Sequence, residues 1–512
     1  MRSRYLALLS SILFSVVVLV GLVVNGRAAA EPTADILGGP TLPTTTRASV
    51  NINNEEGNGD STIPAISANG RFVAFASKAT NLDPFEENEF QDIFLKDLQT
   101  QVITRVVGYS QGPSPNGESR NPDISADGRY VVFESDATDL VGMENEVSDI
   151  YIFSELFSEV SIELITAGDD FVSANGDSYT PSIGGSGDNY RVAFVSEASN
   201  LVPEDTDQIP DIYVYMFNAS SFSSEMRVVS VSSTGVKGNG GSFNPAISMN
   251  GRYIVFESTA TNLVPNDGNG VSDIFVHDLE TGSTSRVSVT SGGGQVSGAS
   301  TQPSISNNGN LISFTSLATN LVSNDTNGVA DIFVHNRQTG STRRVSVNSD
   351  GEQGNRTSDL SNVTDSGAVV VFRSGATNLV SDDTNGAQDI FWHNLSSGET
   401  FRVSLSDLNE ESNGNVGQPT ISADGRLIAF DSSATNLVGN DSNDALDVFV
   451  REEDFPGKSF RYTAEEVPSD TTVVGSVESE TAVQWYKFDV NEAGSTIDAK
   501  LTNLTGDYNL YL

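Results

Sequence analysis

Residues 302–347 read QPSISNNGNLISFTSLATNLVSNDTNGVADIFVHNRQTGSTRRVSV. QPSIS is a short strand, and NNGN is a tight turn with an Asn-Gly signal. LISFTS is a second strand, and the next loop, 317–330, is long and polar. DIFVHN is a third strand, RQTGS turns the chain, and TRRVSV is a fourth. Second strands of this type, such as YVVF (130–133) and YIVF (253–256), are apolar on both faces. Such strands need a neighbouring sheet on each side.

The stretch is one copy among seven. A phenylalanine recurs as Phe75, Phe133, Phe194, Phe256, Phe314, Phe372 and Phe430. After it comes ATNL (79–82, 260–263, 318–321, 376–379 and 434–437), ATDL (137–140) or ASNL (198–201). An aspartate then opens each third strand: Asp92, Asp149, Asp211, Asp273, Asp331, Asp389 and Asp447. Four-stranded units repeated seven times predict an all-β, seven-bladed β-propeller. The last copy stops after DVFVR (447–451), whereas TTRASV (45–50) matches a fourth strand without its blade. We therefore expect the N-terminal strand to complete the last blade and close the ring, which removes free sheet edges. A solenoid would give no reason for that displaced strand.

These units resemble the TolB-type, WD-like propeller repeats of bacterial envelope proteins over about residues 45–452. The resemblance rests on SADGRYVVFES (125–135) and DIFVHDLETGSTSRVSV (273–289). It implies the fold; no match to TolB's own N-terminal domain accompanies it, so the TolB partnership is not implied. Residues 482–512, with Trp485-Tyr486-Lys487-Phe488 and Gly506-Asp507-Tyr508-Asn509-Leu510-Tyr511, resemble the bacterial pre-peptidase C-terminal domain, a small β-sandwich. That family would continue for several strands beyond Leu512.

The expected organisation is a signal peptide at 1–30, a linker at 31–44, the propeller at 45–453, a linker at 454–459 and an incomplete β-sandwich at 460–512. Arg2 and Arg4 precede the apolar run Leu6–Val24, and Ala28-Ala29-Ala30 offers a cleavage site. An uncleaved anchor is the alternative, since the run is near spanning length. Either way the chain is expected to be secreted, periplasmic or at the cell surface. No direct membrane binding is expected unless the N-terminal segment is retained.

The chain carries 27 Lys and Arg against 68 Asp and Glu. The first 30 residues hold three arginines and no acid, so residues 31–512 have a net charge of 24 − 68 = −44. That disfavours nucleic acid as a partner. There are no cysteines, which excludes thiol catalysis, zinc–cysteine sites and disulfides.

The pattern D-x-N-G-x-x-D occurs three times, giving a candidate metal set of Asp267, Asn269 and Asp273; Asp325, Asn327 and Asp331; and Asp383, Asn385 and Asp389. Alternating oxygen ligands and a glycine for the bend suit calcium. The spacing resembles the latter part of calcium loops in integrin-type FG-GAP propellers, with Pro265, Ser323 and Ser381 where the leading acid would stand. The competing reading is an ordinary Asx turn. The final Asp persists in all seven units, so it reads as a loop anchor bonding loop backbone amides.

The three histidines, His277, His335 and His393, fall at one position of three consecutive units, where other units carry Lys96, Phe153, Tyr215 and Arg451. A catalytic base is normally unique. This repetition reads as a variable surface position, and no catalytic residue is assigned. Strand parity puts the Gly turns on one face and the second-to-third loops and blade connections on the other. A protein or glycan ligand is expected on that long-loop face. The alternatives are a polysaccharide lyase or glycosidase using carboxylates in the central channel, and a calcium-stabilised structural surface protein.

Overall fold

The computed structural model describes residues 43–453 except 86–87, 108–113, 142–144, 157–158, 168–171 and 222, together with the backbone of short strands outside that span. Two compact units emerge, residues 42–453 and a second made of 1–41 with 454–512. In the second, the strand Arg2–Leu9 pairs with Val483–Val490 and Asn509–Tyr511, and Gly21–Val24 pairs with Ile497–Lys500. Most of the segment assigned to the signal peptide and the sandwich lies outside the described residues.

The larger unit is a seven-bladed propeller. Each blade is a four-stranded antiparallel meander, as in Ser300–Ile305, Leu311–Ser316, Asp331–Asn336 and Ser341–Arg344. In blade seven the strand Asp447–Glu452 pairs with Thr44–Arg47 from the opposite end of the unit. Arg47 lies opposite Phe449, as Arg344 lies opposite Phe333. The expected closing strand is therefore in register with its equivalents. Packing closes the ring as well: Val448, Val450 and Ala429 of blade seven share a core with Val73, Phe75 and Phe94 of blade one.

The recurrent phenylalanine faces an aromatic on the third strand in every blade. Ring centroids are 5.7–6.1 Å apart, from Phe133–Tyr151 to Phe314–Phe333. All seven phenylalanines are fully buried, because the sheets on either side cover both faces of the second strand.

The ATNL motif is a clamp. In blade one the Asn58 amide donates to Thr80 Oγ1, the Thr80 N–H donates to Asn58 Oδ1, and Asn81 Nδ2 donates to the Glu56 carbonyl. Equivalent bonds join Asn239 to Thr261 and Asn355 to Thr377. The incoming connection is thus fastened to the second-to-third loop of the same blade. The contact is close enough that a Cβ on Gly59 would lie 2.8 Å from the Lys78 carbonyl. In blade six the glycine has changed sides: Arg356 replaces the first partner and Gly375 the second.

In blade three the inner and outer hairpins are longer than elsewhere, and the described residues of 184–191 and 217–226 are mostly extended strand. Ser178–Ser186 pairs with Asn189–Ser196 and Asp211–Asn218 with Ser223–Val228, because the pairing continues out to Asn189 and Asn218.

Two outcomes test this packing. Phe314→Ala should cost about 3–5 kcal/mol in urea unfolding, the usual range for emptying an aromatic site. A chain beginning at residue 51 should unfold at lower urea and recover when a peptide spanning 42–50 is added; an unchanged midpoint would show that the closing strand contributes nothing.

Candidate functional site

The three predicted metal triads each come together, and each already has a cation. In blade four, Asp273 is fully buried and accepts a hydrogen bond from Ser288 Oγ at 2.6 Å and from Asn269 Nδ2 at 2.9 Å. The Arg286 guanidinium, on the fourth strand, lies 3.0 Å from Asp267 and 3.2 Å from Asp273. In blade five, Arg344 lies 3.6 Å from both Asp325 and Asp331. Gln353 also donates to each of these carboxylates at 2.8 Å. In blade six, Arg402 stands 3.8 Å from Asp383 and 4.0 Å from Asp389.

The asparagines are turned the wrong way for a metal. Oδ1 of Asn269, Asn327 and Asn385 accepts the N–H two residues on, from Val271, Val329 and Ala387. Their Nδ2 groups donate to Asp273, Asp331 and Asp389. This is an Asx turn. The donor set therefore fits a guanidinium better than a calcium ion. Desolvation raises the carboxyl pKa of Asp267, Asp331 and Asp389, and pushes Asp383 up to about 6 with help from Asp389.

The final Asp is an anchor, with a correction to its partners. The bonds run to hydroxyls two residues past the end of the fourth strand: Ser49, Thr166, Ser230, Ser288, Ser346 and Ser404. The arginines were missed in the sequence, although their signal was there in the recurring R-x-S of TSRVSV, TRRVSV, TFRVSL and TTRASV.

The histidines are not at the surface. His277, His335 and His393 are 6%, 6% and 4% exposed. Each Nδ1 lies 2.9 Å from a threonine Oγ1, of Thr284, Thr342 and Thr400. Those hydroxyls donate to carbonyls of the preceding blade, Val231, Val289 and Val347. Since the hydroxyl proton goes to the carbonyl, the imidazole must donate from Nδ1. In blade seven Arg451 takes the histidine's place and bonds Thr45 and the Leu405 carbonyl. Blades one to three pair Lys96, Phe153 and Tyr215 with Ile103, Ile162 and Met226 at these positions. The histidine is one half of a blade-to-blade joint that changes as a unit.

The remaining candidate is a cavity of about 360 Å³ on the propeller axis, lined by the first strands. Six of these strands carry a bulge, in which two residues oppose one. The first bulge residue has positive φ in each: Ile63, Asn121, Thr180, Asn244, Gln302 and Leu360, at 48–53°. Five precede a proline, which a bulge tolerates because it interrupts the ladder. Such strain costs roughly 1–3 kcal/mol per residue and persists only where the surroundings enforce it. Here Glu134 and Glu257 accept the N–H of Thr180 and Gln302 in the next blade, at 2.8 and 3.0 Å. Asp123 is the one carboxylate in the lining; it accepts N–H bonds from Ile124 and Ile183, and burial raises its pKa to about 6.

No family model matches the chain, and no curated protein matches it. Solved structures do resemble it. The β-propeller domain of the Trilobed protease from Pyrococcus furiosus is 12% identical, with TM-score 0.47, over 77% of this chain and 94% of that one. A putative TolB from Agrobacterium tumefaciens is 17% identical, with TM-score 0.36, over 70% and 97%. Pyrococcus horikoshii acylaminoacyl peptidase is 11% identical, with TM-score 0.45, over 78% and 53%. The likeness is one of fold. This chain is a β-propeller.

The joint gives a pH test. Burial lowers the pKa of all three histidines, to about 4 for His393. Between roughly pH 6.5 and 4 the unfolded chain binds the proton that folded His393 refuses, so stability falls as pH falls through that window. The raised carboxylates Asp383 and Asp447 act in the opposite sense, so a variant comparison isolates the histidine. A His393→Phe, Thr400→Ile protein, copying the pair of blade two, should lose about 1–2 kcal/mol less than the parent between pH 7 and pH 5 in urea unfolding. Equal losses would place His393 outside the acid response.

Proposed function

We propose that the chain is an exported, non-enzymatic binding or scaffold protein of the cell envelope or extracellular space. Its ligand, a protein or a glycan, engages the long-loop face and the polar cavity on the axis. One observation carries this reading. At most repeated positions the blades hold similar residues: the aromatic pair, the loop clamp and the Asp anchor. At the bulge, and at the equivalent position of blade seven, they hold Ile63, Asn121, Thr180, Asn244, Gln302, Leu360 and Gln418. Two residues further on they hold Ala65, Asp123, Ser182, Ala246, Ser304, Asn362 and Thr420. A wall that differs in every blade presents an asymmetric set of amide and hydroxyl groups, which suits one asymmetric polar ligand.

Catalysis has less support. The histidines and loop acids are committed to structural bonds. A glycosidase needs two carboxylates about the scissile bond, and the cavity lining offers Asp123. Titration calorimetry against glycan and peptide panels, with product analysis in parallel, tests the proposal. We expect binding without turnover, and at least tenfold weaker binding after Asn362→Trp fills the cavity with the melting temperature unchanged. Product formation, or a ligand indifferent to that substitution, would overturn it.

A further inference from the structure

The acidic loops raise a question that goes beyond ligand binding: what neutralises them. In blades three to seven two buried carboxylates face each other at the start of the third strand, one at its first residue and one six residues earlier. In blades four to seven the pairs are Asp273 and Asp267, Asp331 and Asp325, Asp389 and Asp383, and Asp447 and Asp441. An arginine of the fourth strand meets each pair: Arg286, Arg344, Arg402 and Arg47.

Blade three has no such arginine, since Val228 stands there opposite Tyr213. Its pair, Asp211 and Asp205, is met instead by Lys237, which comes from the next connection at 2.8 and 2.5 Å. After blades four to seven that connection position carries Gln295, Gln353, Glu411 and Glu56, acceptors or neutral donors that bond the arginine or the acids. The cation has moved to another part of the chain while its place in the loop has been kept. Blade two departs further. Leu164 stands where the arginine would be, and Met143 stands six residues before Asp149. Acid and cation are lost together.

We infer that these loops carry their own cation, an arginine or lysine side chain in the position a divalent ion would take, and that removing it turns a loop into a divalent-cation site. A bound ion and a buried guanidinium answer the same need, because two buried carboxylates without a positive partner repel each other and lack solvation. The guanidinium answers it without dependence on ion concentration. The carboxylate triads Glu56, Asp441, Asp447 and Asp205, Asp207, Asp211, each close enough together to hold an ion, are met by Arg47 and Lys237 in the same way.

The test uses calcium chloride alone as the probe and four forms of the full chain. The unaltered protein should melt at the same temperature in about 10 mM calcium and in chelator, a concentration that would saturate even a weak extracellular site. Arg286→Met should melt roughly 5 °C lower in chelator and regain at least half of that loss in calcium. Asp267→Met with Arg286→Leu, which copies blade two, should be less damaged than Arg286→Leu alone and indifferent to calcium. Should Arg286→Met not fold in chelator, its refolding yield with and without calcium gives the same reading. A calcium-dependent midpoint in the unaltered protein would overturn the inference. So would an Arg286→Met protein no more responsive to calcium than its parent, or a double variant worse than Arg286→Leu.

Discussion

A buried carboxylate at the start of each third strand is the interaction on which the blades depend. The fourth strand is short, three to six residues, and its ladder runs out where the chain leaves for the next blade. At that point a hydroxyl takes over. Ser288 donates to Asp273 and accepts the Ile274 N–H; Ser346 does the same between Asp331 and Ile332, and Ser404 between Asp389 and Ile390. The same carboxylate takes the amide of the loop's Asx turn and faces the blade's cation. One group thus fixes the edge strand, the long loop and the charge balance. Blade one varies the theme, with Val107 in the hydroxyl's place.

The fold was legible in the sequence because its determinants are local and repeated. The buried second strand, the turn glycines and the displaced closing strand are each written in a few consecutive residues. The clamp made by ATNL could not be read as such: its partner asparagine recurs, as Asn58, Asn116, Asn175, Asn239, Asn355 and Asn413, but lies 22–25 residues away, and nothing in the sequence says which segment it meets. The histidines misled for a different reason. Their alternates Lys96, Phe153, Tyr215 and Arg451 share size and a long apolar stem rather than exposure. What decides their role is the residue opposite, Thr or an apolar side chain, and that pairing appears only once the register of the third and fourth strands is known. The metal set went the same way: the acids were visible, but whether a cation was already present depended on which face of the fourth strand carried Arg286, Arg344 and Arg402.

Buried charge rarely adds net stability over an apolar alternative, since desolvation offsets most of the attraction. Blade two carries Leu164 in the arginine's place and Met143 in the sequence position of the second acid, and keeps Asp149, which accepts hydrogen bonds from Thr166 and Asn145. Blades three to seven nevertheless hold the charged version. Removing one member of such a pair leaves an uncompensated buried charge, so the charged blade admits one arrangement of loop and strand. The strained backbone at Thr180 and Gln302, held by carboxylates of the preceding blades, is part of the same constraint.

The role of the aspartate is most directly measured by a double-mutant cycle on blade five, with Asp331→Asn, Ser346→Ala and both together, read by urea unfolding at pH 7. A buried charge-assisted hydrogen bond between the two side chains should appear as a coupling energy of about 1–3 kcal/mol. A coupling within about 0.3 kcal/mol of zero would mean the two residues act independently. In that case the anchor that organises every blade would have to be sought elsewhere.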